Sequence, residues 1–72
     1  MRLYLKLFFN SEGTSTLETI KKARKMGFTP CVGYYDFVIG FSSPEEYRQI
    51  LEDLHGMLRG TKVLYTVMTR ED

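Results

Sequence analysis

The stretch from Ser43 to Leu58 leaves this chain little choice of fold. Ser43-Pro44-Glu45-Glu46 is a capping box with proline at the first helical position, where its missing N–H is no loss. Tyr47, Ile50, Leu51, Leu54, Met57 and Leu58 then repeat at helical spacing. The pattern predicts a helix over 44–58 with one continuous apolar face. Such a face must be buried against a second layer. Seventy-two residues bury too little surface to divide between two cores, so that layer must lie within one domain spanning 1–72.

The other apolar segments are short enough to be strands. Leu3, Leu5, Leu7 and Phe9 alternate with Arg2, Tyr4, Lys6 and Phe8, which predicts a first strand over 2–10. Asn10-Ser11-Glu12-Gly13-Thr14 reads as a loop. Ser15-Thr16-Leu17-Glu18 reads as a second capping box, opening a helix over 16–26. Leu17, Ile20, Ala23 and Met26 form its expected buried stripe, Lys21, Lys22, Arg24 and Lys25 its outer face, and Gly27 its stop. A second strand is expected over 28–32, and Pro30 confines it to a sheet edge because proline donates no ladder hydrogen bond. Gly33-Tyr34-Tyr35-Asp36 reads as a tight reversal. Phe37-Val38-Ile39-Gly40-Phe41, apolar without alternation, reads as a central strand covered on both faces. Gly60 ends the long helix, and 62–69 makes a last strand before the tail Arg70-Glu71-Asp72.

The order β-α-β-β-α-β predicts an α+β, ferredoxin-like sandwich: four antiparallel strands in order 4-1-3-2 with both helices on one face. The opposite face would then carry Tyr4, Lys6, Phe8 and Val38, and an apolar face without a helix needs another cover. A homodimer or a ring of dimers supplies one. It also supplies burial that so short a chain lacks, since Cys31 and His55 are the only residues of their types and no disulfide or metal staple can form.

Charge excludes some partners. The formal net charge is +1, which gives little long-range attraction to a polyanion, so strong nucleic-acid binding is not expected. Residues 1–36 carry six basic and three acidic side chains, and 37–72 carry four and six, so the halves stand at +3 and −2. No run approaches a membrane span, and charge enters at Arg2 and Lys6 too early for a signal peptide. With an unpaired thiol, the expected location is cytoplasmic.

The most specific string is Gly33-Tyr34-Tyr35-Asp36-Phe37-Val38-Ile39, which enters the central strand. It resembles the regulatory domain of the Lrp/AsnC family of transcription regulators, which has the same element order and a Gly-x-Tyr-Asp-Phe turn before its third strand. The resemblance takes in the first strand, the amphipathic helix, the turn, the helix opened by acidic residues, and a last strand carrying Thr66. The family's DNA-binding helix-turn-helix is missing from these residues, so a stand-alone form is implied. The resemblance further implies an amino-acid-type ligand contacted by Gly33, Tyr34, Asp36 and Thr66 at a boundary between subunits. From the residues alone a second reading stays open, in which Gly33 supplies a positive φ and Asp36 caps a hairpin.

Rival readings come from the other residue types. Aromatic residues on an open sheet face also suit base stacking in an RNA- or DNA-binding module, and Leu3-Tyr4-Leu5-Lys6 loosely echoes the first-strand motif of RNA-recognition domains. A purely structural protein-interaction domain is the third reading. The basic run on the first helix reads as a solvated face, with Glu45, Glu52 or Asp53 of the neighbouring helix available to offset it. Cys31 reads as a structural thiol and His55 as a solvated histidine. No metal-ligand spacing, glycine-rich phosphate loop or nucleophile, base and acid set is present, so neither a cofactor nor catalysis is expected.

Overall fold

The computed structural model describes residues 1–13 and 15–71; Thr14 of the expected loop and Asp72 of the tail lie outside the described residues. The elements run β1 (Arg2–Phe8), α1 (Thr16–Lys25), β2 (Thr29–Pro30), β3 (Phe37–Gly40), α2 (Pro44–Leu58) and β4 (Leu64–Arg70). They form an α+β arrangement with one antiparallel sheet in order β2-β3-β1-β4. This is the expected order 4-1-3-2 read from the other edge. None of the described helices is long and apolar enough to cross a membrane.

Both helix starts follow their sequence signals. Ser15 Oγ accepts from the Glu18 amide at 3.2 Å and Ser43 Oγ from the Glu46 amide at 3.1 Å. The reciprocal arm of the Ser43 box is displaced by one residue. The Glu46 carboxylate accepts from the amide and hydroxyl of Ser42, and these hydrogen bonds hold it below the usual carboxylate range. α1 ends in a Schellman arrangement: Gly27 takes φ 108°, its amide donates to Arg24 and the Phe28 amide to Ala23.

The core lies on one side of the sheet. Leu3, Leu5 and Leu7 of β1, Phe37 of β3, Ala23 of α1, and Leu54 and Leu58 of α2 are buried together with Phe28 and Val63. Since side chains alternate along a strand, the odd positions of β1 face the helices and the even ones face away.

Several expectations are corrected. Leu17 is 63% exposed, and Thr19 takes its place in the buried stripe. The substitution is possible because the Thr19 hydroxyl donates to the Ser15 carbonyl, so no polar group is stranded. The second strand shrinks from 28–32 to two residues. Phe28 is drawn into the core by the end of α1, while Val32 is wholly exposed. The reversal is wider than a tight turn, closing with the Cys31 amide donating to the Asp36 carbonyl. Within one chain β3 is covered on one face only, and Val38 is half-buried on the other.

Candidate functional site

The uncovered face is built by register. Tyr4 lies between Val38 and Met68, Lys6 beside Thr66, Phe8 beside Leu64, and Arg2 beside Arg70. Residues directly opposite in an antiparallel pair share a face, so these side chains form one surface. Phe8 and Leu64 remain 42% and 72% exposed on it.

The turn before β3 folds back onto this surface, and Asp36 is its anchor. β3 stops pairing at Phe37 whereas β1 runs on to Phe8, which leaves the Leu7 amide facing a gap. Asp36 closes it: its amide donates to the Leu5 carbonyl, and its Oδ2 accepts from the Leu7 amide at 2.9 Å. Its other oxygen lies 3.7 Å from Lys6 Nζ. With the strand end pinned, Tyr35 comes to rest against Tyr4 with ring centroids 5.9 Å apart, and its hydroxyl donates to Met68 Sδ. Tyr34 meets Tyr35 edge to face at 5.0 Å. Lys6 Nζ then stands 5.3 Å from the Tyr34 centroid and 5.9 Å from that of Phe8, while the Arg70 guanidinium lies 5.4 Å from Tyr4.

The two sets of residues singled out from the sequence are therefore neighbours. Tyr34, Asp36 and Thr66, expected at a ligand, surround Lys6; Tyr4, Phe8 and Val38, expected at an interface with Lys6, adjoin them. Gly33 has φ 115°, and nothing lies within 4 Å of where a Cβ would stand, so its backbone angle is what requires glycine. Five members were missed: Arg2, Tyr35, Leu64, Met68 and Arg70. Met68 and Arg70 share the parity of Thr66 in β4, a signal that acquires meaning only once β4 is registered against β1.

Elsewhere the chemistry is sparse. The Cys31 thiol donates to the Tyr35 carbonyl, and burial, then the Asp36 charge, push its pKa up, away from nucleophilic character. Among the described residues the one ion pair is Lys6–Asp36, so none of Lys21, Lys22, Arg24 and Lys25 forms an ion pair with an acid of α2. No group of three or more His, Cys, Asp or Glu among the described residues is placed to hold a metal ion. A groove of about 630 Å³ lies at the other end of β3, lined by Met1, Phe41, Pro44, Tyr47 and Thr69 with Ser42 and Ser43, whose hydroxyls are already engaged by the start of α2. None of Gly33, Tyr34, Asp36 or Thr66 lines it. Compared with family models, with curated proteins and with solved structures, the chain matches none of them.

Proposed function

We propose that this protein is a self-associating, ligand-binding module without catalytic activity, in which two copies pack their uncovered sheet faces together about a two-fold axis. The reading takes the fold as a ferredoxin-like sandwich and follows the resemblance to Lrp/AsnC regulatory domains, with an amino-acid-type ligand beside the Gly33 to Asp36 turn. The observation that carries it is the uncovered face itself, where Tyr4, Phe8, Val38, Leu64 and Met68 stand on the side of the sheet away from the core. In a monomer the part of that patch the turn leaves open, Phe8 and Leu64 above all, meets water. A second copy removes it, in an interface near the standard size of about 1,600 Å². Base stacking is less well supported, because the central strand β3 offers only Val38 and Gly40 to this face and no aromatic side chain.

Phe8→Glu places a carboxylate from each copy in the interface and removes two apolar anchors. The variant is expected to dissociate at least tenfold more readily, about 1.4 kcal/mol, with its helical circular dichroism unchanged. Sedimentation equilibrium measures this. A parent protein that is monomeric at micromolar concentration overturns the reading.

The ligand half of the proposal rests on the charges around Lys6. Lys6 Nζ and Asp36 Oδ1, 3.7 Å apart with the Tyr34 ring beside them, offer a cation for a carboxylate and an anion for an ammonium group. Titration of the labelled protein with the twenty amino acids is expected to move the amide resonances of residues 33–36, Lys6 and Thr66 first. A saturable ligand that shifts only helix resonances rules out this placement.

A further inference from the structure

The two edges of the sheet are protected very differently. β2 is two residues long and contains Pro30, both of which discourage pairing with another strand. β4 is seven residues long, and from Leu64 to Thr69 it has no charge, proline or glycine. Its free groups can be assigned. Met1 and Phe41 exchange both backbone hydrogen bonds, the Leu5 carbonyl accepts from Asp36, and the Leu7 amide donates to it, so the odd positions of β1 point toward β3. The even positions therefore point toward β4, where their partners are Leu64, Thr66, Met68 and Arg70. Tyr65, Val67 and Thr69 are left with their amides and carbonyls directed out of the sheet. The same three side chains lie on the helix side. There a groove of about 510 Å³, lined by Leu51, Tyr65 and Val67 together with the charged Arg48, Glu52 and Arg59, runs between α2 and the edge.

We propose that β4 pairs with β4 of a second copy, antiparallel, with Val67 opposite the partner's Val67. This interface is separate from the face-to-face contact and deepens that reading by naming a second one. A two-fold axis normal to the sheet keeps helix-side residues opposite helix-side residues, so allowed registers differ by two positions in pairing sum. Centring on Thr66 would set Lys62 against Arg70. Centring on Val67 sets Arg70 against Leu64 and matches all three outward residues, Tyr65 with Thr69 and Val67 with itself. The strand added at the edge lies along the groove and lines it with a second Val67. Two interfaces with different axes build a ring of dimers where the rotation closes and a filament where it does not.

The test uses Phe8→Glu to weaken the face contact, at a protein concentration low enough that the weakened contact is dissociated, and Cys31→Ser to remove the native thiol. In that background Val67→Cys is expected to form an intermolecular disulfide on mild oxidation, since opposed residues of a hydrogen-bonded antiparallel pair lie about 5.5 Å apart. Tyr65→Cys, offset by four positions in the same register, is expected to cross-link at least tenfold more slowly. Phe8→Glu alone is expected to sediment as a dimer, and adding Val67→Pro, which removes an outward amide only, to give a monomer. A monomeric Phe8→Glu protein whose Val67→Cys form does not cross-link overturns the edge pair and leaves the face contact standing. Equal cross-linking at 65 and 67 overturns the register. A Phe8→Glu protein with the mass of the parent, cross-linked at Val67, sinks the face contact and leaves the edge pair.

Discussion

Leu54→Ala is expected to lower the unfolding free energy by about 2–5 kcal/mol, through lost transfer energy and the cavity that remains. Leu54 is fully buried on α2, in the cluster that also holds Leu3, Leu5 and Leu58. A domain of this length has roughly 5–10 kcal/mol of stability at most, so one side chain carries a large share of it. Leu17→Ala is the control. It removes a leucine of similar size from the other helix, but one that stands 63% exposed, and the expected change is within about 0.5 kcal/mol. Urea melts of the two variants at a single protein concentration give the comparison, with equal m-values showing that the same surface is exposed on unfolding. A difference of less than about 0.5 kcal/mol between them would mean that α2 does not carry the core.

Asp36→Ala is expected to cost about 1–3 kcal/mol, because it strips the acceptor from the part-buried Leu7 amide. Loss of the Lys6 contact adds little, since both partners are partly exposed and such pairs contribute about 0–1 kcal/mol. Asp36→Asn keeps an acceptor and is expected to recover part of the loss. Hydrogen exchange at the Leu7 amide reports the contact directly: fast in the Ala variant, intermediate in Asn, slow in the parent. Unchanged protection of that amide in Asp36→Ala would show that the carboxylate is not its partner. The result also bears on the ligand proposal, because a carboxylate held by the Leu7 amide is already oriented when an ammonium group arrives.

Local signals were reliable where neighbouring residues alone decide the outcome. The bounds of α2 follow from Ser43, Pro44 and the spacing of Tyr47 to Leu58, because capping and helical periodicity act over a few residues. Pro30 marks β2 as an edge for an equally local reason, the missing amide. The alternation of Leu3, Leu5 and Leu7 separated the buried face of β1 from the other.

Tertiary structure decided what depends on residues far apart in the chain. Whether Leu17 or Thr19 faces the core turns on how α1 is rotated against the sheet, and the helical period permits both once the threonine hydroxyl is satisfied at Ser15. The role of Asp36 depends on β1 outrunning β3, a mismatch in length between strands 29 residues apart at their contact. Strand pairing then carries Tyr34, Lys6 and Thr66 to one place, although no spacing along the chain relates them. Hydrogen-bond register is a property of two strands together. Residue order alone could therefore nominate some members of this surface, and only the pairing of β1 with β3 and β4 could add the rest and join them.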